Sequence, residues 1–110
     1  MIKPTVGRIV HFYPAGHEPM PKTPGEPLAA IVTCVWSDTC VNLGIFDANG
    51  GTWNKTSVLL VQDGEPKPEG GNYCTWMPYQ LGQAAKTEAL EKQLNETPDP
   101  AAEAALDPKN

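Results

Sequence analysis

The sequence predicts an all-β domain: a small five-stranded SH3-like or partly open barrel, followed by a C-terminal helix or disordered tail. Three observations carry this. Ten glycines and twelve prolines fall between the apolar runs of the 110-residue chain rather than inside them, as tight turns between short strands require. Five runs rich in β-branched and aromatic residues recur before Pro78. The length admits one modest core and no second one.

The elements follow in order. VGRIVHFY, from Val6 to Tyr13, reads as the first strand. The next segment, PAGHEPMPKTPGEP, holds Pro14, Pro19, Pro21, Pro24 and Pro27. Each of these lacks a backbone donor and has a fixed φ, so the segment is expected to be a long, partly stiff loop. LAAIVTCVW, Leu28 to Trp36, is a second strand, apolar at nearly every position and so expected to be buried on both faces or sharply curled. After the turn Ser37-Asp38-Thr39, CVNLGIF alternates cleanly, with Val41, Leu43 and Ile45 on one face and Asn42 and Gly44 on the other. Gly44 suggests a bend or bulge. TWNKTSVLLVQ, Thr52 to Gln62, is a fourth strand with either Val58 and Leu60 or Leu59 and Val61 inward, and YCTWM, Tyr73 to Met77, closes the set after a second breaker-rich loop. An unclosed five-stranded meander is the alternative architecture.

From about Gln83 the character changes. QAAKTEALEKQLNE is helix-forming, with Leu90 and Leu94 one turn apart on a thin apolar face. It is expected to be a peripheral helix or an arm that packs on another subunit. The final TPDPAAEAALDPKN is expected to be disordered or a short terminal helix. The division is therefore a barrel over 1–82 and an acidic tail over 83–110.

The formal charge of −5 is unevenly placed. Met1 to Gln83 carries five Lys/Arg against seven Asp/Glu, and Ala84 to Asn110 carries three against six. With no basic stripe, gripping a nucleic-acid backbone is not expected, because phosphate contacts need clustered cations. No run has the length and apolarity of a membrane span or an export signal. The odd count of cysteines, Cys34, Cys40 and Cys74, argues against a complete disulfide framework. A reduced, cytoplasmic setting is expected.

The stretch DANGG, Asp47 to Gly51, invites a metal- or phosphate-loop reading, and neither fits. In a calcium-loop register, Asp47 and Asn49 would be the first ligands, but the twelfth position is Val58, which has no oxygen to offer. A phosphate loop feeds a helix, whereas this one feeds a strand. Asn49-Gly50 between apolar runs is a hairpin turn signal, since both residues tolerate positive φ. No C-x-x-C or paired-histidine spacing links the cysteines with His11 and His17, so no metal and no cofactor is expected. Ser37, Ser57, Cys74, His11 and Asp38 form no local catalytic motif, so the chain is expected not to be an enzyme.

The aromatics are the candidate binding groups. Trp36, Trp53, Trp76, Tyr13, Tyr73 and Tyr79 sit at strand ends or in the closing segment, where side chains tend toward a rim. His11, Asp38, Asn42, Thr56, Ser57 and Gln80 lie close by in sequence. Flat rings with a few directional polar groups suit a ring-bearing small molecule or a peptide.

Together, GRIVHFY, PLAAIVTCVWSDTCVNLGIFDANG, TSVLLVQDGEPKPEGG and CTWMPYQLGQAAKTE resemble a group of small proteins encoded by tailed bacteriophages and prophages, over about Ile2 to Glu88. The resemblance implies a phage origin and a small β-barrel, and it carries over no catalytic residue. Small acidic phage proteins of this size often antagonise host defence, some by sequestering nucleotide-derived signals in small oligomers and others by blocking a host protein. On that analogy of class, the expected function is capture of a nucleotide-type signal by a homo-oligomer in the host cytoplasm. Trp36, Trp53 or Trp76 would stack the base, with Tyr13 beside them. Asn42, Thr56, Ser57 and His11 would bond ribose or phosphate, with Arg8 and Lys55 as counter-charges. The alternative is a protein-interaction module that inhibits a host defence protein, or a minor virion component.

Overall fold

The computed structural model of the chain describes residues 1–96; the expected terminal segment TPDPAAEAALDPKN lies outside the described residues. The elements are β1 (Ile9–Tyr13), β2 (Leu28–Ser37), β3 (Cys40–Phe46), β4 (Thr52–Val61), β5 (Tyr73–Thr75) and α1 (Pro78–Glu96). The strands form a closed barrel in sequence order, so the sheet is neither partly open nor an unclosed meander. Four seams are antiparallel, and the seam between β4 and β5 is parallel. Geometry requires that one exception. Strands that alternate in direction cannot close a ring of five, and a parallel neighbour needs a crossing connection, which residues 62–72 supply.

Alternation along each strand builds the interior. Val10 and Phe12, then Leu28, Ala30 and Val32, then Val41, Leu43 and Ile45, then Val58 and Leu60 are buried, with Cys74, Trp76 and Met20 completing the cluster. Of the two inward pairs expected on β4, Val58 and Leu60 are inward, while Leu59 is exposed. β2 is not buried on both faces, because Ala29 and Thr33 are exposed while Leu28, Ala30 and Val32 are buried. Each large side chain sealed here contributes roughly 1.5–3 kcal/mol of transfer free energy.

β1 begins at Ile9 rather than Val6 because the backbone turns at Gly7, whose N–H donates to Val32 O at 2.8 Å. Gly44 is not a bulge. It pairs in register with Ile31, and a methyl group there would meet Thr33 Cγ2 at an ordinary 3.6 Å. The irregularities fall at Thr33 and Trp36 in β2, and opposite Asn42 in β4.

The proline-rich segment is a docked plug. Met20 is buried within the core cluster, and Ala48 N donates to Pro21 O at 3.0 Å. Ala15 N donates to Asn72 Oδ1 at 2.6 Å. Its prolines lower the entropy lost on fixing so long a loop.

The helix starts at Pro78, five residues before the expected Gln83. Proline suits the first helical position, where its missing N–H is not needed. Gln80 supplies the cap: its Oε1 accepts from Met77 N at 2.8 Å, while its Nε2 donates to Ile9 O at 2.9 Å. Leu81 packs against the core, so the first turn belongs to the barrel, beyond which Leu90 and Leu94 are exposed. Among the described residues no helix is long and apolar enough to cross a membrane.

A buried amide ties the ends together. Gln62 Nε2 donates to Ile2 O and Asp38 O, both at 2.9 Å. Its Oε1 accepts from Ile2 N at 3.3 Å and Trp76 Nε1 at 3.1 Å. The N-terminus, the β2–β3 turn and the closing segment therefore meet on one side chain.

Candidate functional site

The barrel distributes the ten expected binding residues over three places rather than one. The first is the outer surface where β2, β3 and β4 are all irregular. Asn42 faces the pair Thr56 and Ser57 across β4, so two residues oppose one. Ser57 takes φ 55°, the sole positive φ among the described non-glycine residues. Such backbone is sterically costly for an L-residue and marks a bulge held by its surroundings. Asn42 Oδ1 does the holding, accepting from Ser57 N at 2.8 Å. The same oxygen accepts from Trp36 Nε1 at 2.9 Å. Trp36 is 64% exposed, yet its indole is oriented by this bond.

The second place is the β3–β4 hairpin, roughly four residues or 14 Å further along β3. Asp47 organises it. Its Oδ1 accepts from Asn49 N and Gly51 N at 2.8 and 2.9 Å, and its Oδ2 accepts from Trp53 Nε1 at 2.7 Å. The Trp53 indole, followed by those backbone amides, holds the carboxyl below its ordinary range. The hairpin expectation for DANGG stands with one correction: Gly50 alone takes a positive φ, 85°, and Asn49 does not. Gly50 N closes the turn onto Asp47 O at 2.9 Å, the five-residue loop being built on a simple turn followed by a left-handed glycine.

Lys55 lies in the middle of β4, two residues on from Trp53 and on the same face. It pairs with Leu43 and so shares the inward-facing side. Its Nζ lies 2.8 Å from Glu18 Oε1. Glu18, buried in the plug, also accepts from Asn72 Nδ2 at 2.7 Å. Hydrogen bonds from Lys55 and then Asn72 hold its carboxyl below the usual range despite desolvation. Lys55 is thus an internal counter-charge and not a free cation for phosphate.

The third place is around β1. Trp76, expected at a rim, is a core residue, 2% exposed, and its N–H is spent on Gln62; it cannot stack a base. Arg8 lies over its ring, with Cζ 5.6 Å from the centroid, a cation–π arrangement. Tyr13 stacks on Tyr73 with centroids 4.9 Å apart and planes at 12°. His11 and Tyr13 line an open groove of about 480 Å³ with Pro27, Glu26, Asp63 and Glu65. A second open groove of about 510 Å³ runs between the N-terminus and α1, past Arg8, Tyr79 and Glu88.

Four expected residues therefore meet: Trp36, Asn42, Thr56 and Ser57. The others do not join them. Sequence reading missed Glu18, Asn72 and Gln62, which are tied to segments distant in the chain: Asn72 to Glu18, 54 residues away, and Gln62 to Ile2, 60 away, beyond any local pattern. Among the described residues no group of three or more His, Cys, Asp or Glu is placed to hold a metal ion. The three cysteines are free thiols. No protein-family model, curated protein or solved structure matches the chain.

Proposed function

We propose that this chain is a non-enzymatic accessory binding module of phage type that grips a host protein through the Trp36 platform. The observation that supports the reading is a large indole left 64% exposed but held in one orientation by Asn42. Tryptophan anchors are enriched among residues that dominate protein interfaces, and an anchor already oriented loses less entropy on binding. The strained bulge beneath it fits the same reading, since backbone strain tends to be kept where a surface has a task.

The test is capture of a host protein on immobilised chain, compared with Trp36→Ala and with Trp53→Phe as a control. One partner held by the wild type and the control, and lost by Trp36→Ala, supports the reading. Equal retention by all three overturns it.

Capture of a nucleotide-type signal is the second reading. It is favoured by an indole open for stacking that is tied through Asn42 to the bulge at Ser57. Its difficulty is charge: Lys55 is ion-paired and Arg8 lies over Trp76, so neither expected counter-charge stands beside the indole of Trp36. Calorimetry against cyclic dinucleotides and ADP-ribose decides it: heat lost in Trp36→Ala supports capture, and silence removes it.

A further inference from the structure

We infer that the groove beside β1 is a second, independent binding surface, which takes an extended peptide segment carrying lysine or arginine.

Two tight turns build its rims. Thr23-Pro24-Gly25-Glu26 closes through Glu26 N to Thr23 O at 3.0 Å, and Gln62-Asp63-Gly64-Glu65 closes through Glu65 N to Gln62 O at 3.0 Å. Gly25 and Gly64, each third in its turn, take φ of 79° and 86°, the conformation that a type II turn reserves for glycine. Both rims are therefore fixed before any ligand arrives. Each presents carboxylates: Glu26 from one, Asp63 and Glu65 from the other. The second turn is locked at both ends, since Glu65 Oε1 accepts from Gln62 N at 3.2 Å. Among the described residues, no hydrogen bond or ion pair engages the Glu26 or Asp63 carboxylates.

Between the rims, Tyr13, Pro27 and Leu81 give the lining an apolar part, beside the polar His11 and Thr75. Tyr13, held against Tyr73, lies with Pro27 in a space of about 480 Å³. Lys67 is the one lysine or arginine in the lining, and His11 its only other basic side chain. A ring-and-proline floor between two turns that carry carboxylates matches the stem and the charged head of a long cationic side chain together: the stem covers the apolar floor and the head reaches the rim. An anion would meet three carboxylates there. The neighbouring strand edges are already paired, as β5 is bonded on both sides, so a guest binds by side chains rather than by adding a strand.

The test uses a fluorescein-labelled octapeptide of alternating lysine and proline, read by anisotropy with the full chain at low ionic strength. Binding is expected, and it should weaken as salt rises. Glu26→Gln combined with Asp63→Asn should lower affinity roughly tenfold, the worth of two exposed charge contacts. Lys67→Glu should strengthen binding. Trp36→Ala should leave it unchanged, which separates this surface from the platform above. A glutamate–proline octapeptide should not bind. No binding of the lysine peptide, equal binding by the Glu26/Asp63 variant, or equally tight competition by spermine would each overturn the proposal.

Discussion

Lys55 Nζ sits 2.8 Å from Glu18 Oε1, joining the middle of β4 to the proline-rich plug. The bond does more than pair charges. Glu18 also holds Asn72, and Asn72 in turn accepts from Ala15 N, so one carboxylate links β4, the plug and the segment before β5. Removing either partner would leave a largely buried group without its complement, which costs more than the intact pair contributes.

Acid should therefore loosen the fold in a defined window. Glu18 is depressed below its ordinary 4.5 and Asp47 below its ordinary 3.8. A carboxyl whose folded value is lowered contributes stability above its unfolded value, and loses it as pH falls through the folded one. Urea midpoints should hold steady from about pH 7 to about pH 5 and then fall. Glu18→Gln should be less stable at neutral pH but show a shallower acid decline. A decline parallel to the wild type would remove Glu18 from this account.

Gln62 should be far less replaceable than its position at the end of a strand suggests. Its amide satisfies two carbonyls, an amide N–H and the Trp76 indole. Gln62→Leu keeps the volume but leaves these groups unpaired, at roughly 1–3 kcal/mol for each that water cannot reach. Gln62→Glu places a carboxylate oxygen against the Ile2 and Asp38 carbonyls and should also destabilise, increasingly as pH rises. Chemical denaturation of both variants checks this. A loss below about 1 kcal/mol for Gln62→Leu would mean the hub is solvated.

These contacts mark where sequence reading stops. The strands were legible because burial imposes a two-residue period: Val41, Leu43 and Ile45 announced their face. The hairpin at Asn49-Gly50 was legible because turn chemistry is local. A five-stranded barrel was legible too, but not whether it closes fully, since that depends on β1 and β5, whose paired residues lie 60 to 64 positions apart. Trp76 was misjudged for a related reason. A strand end marks a rim only when nothing packs above it, and here Gln62 and Arg8 meet the indole from elsewhere in the chain. Trp36 and Asn42 were readable as residues of interest, but only the bulges bring them together with Ser57.

The thiols should divide by burial. Cys74 is fully buried in the core, and desolvation pushes its thiol up to about 12, so at neutral pH almost no thiolate forms. Cys34 and Cys40 are half-buried. A chromogenic disulfide reagent should titrate at most these two in the folded chain, with Cys74 reacting only as the protein unfolds. Rapid labelling of Cys74, mapped by mass spectrometry, would contradict the closed seam between β1 and β5.

The bulge at Ser57 makes the sharpest claim. With φ at 55°, Ser57 carries a conformational cost of about 1–2 kcal/mol that glycine would not bear, partly offset by the extra freedom glycine has when unfolded. Ser57→Gly should therefore stabilise the fold, by up to about 1 kcal/mol, and Ser57→Val should destabilise it by more than that. Asn42→Ala should act in the opposite sense to glycine, costing about 1–2 kcal/mol because one oxygen serves both Ser57 N and Trp36 Nε1. Trp36→Ala removes only an exposed ring and should change stability by less than about 0.5 kcal/mol. If binding falls in both Asn42→Ala and Trp36→Ala while stability falls in the first alone, orientation of the indole matters as well as its presence. Full binding by folded Asn42→Ala would show that the ring serves its partner without being held.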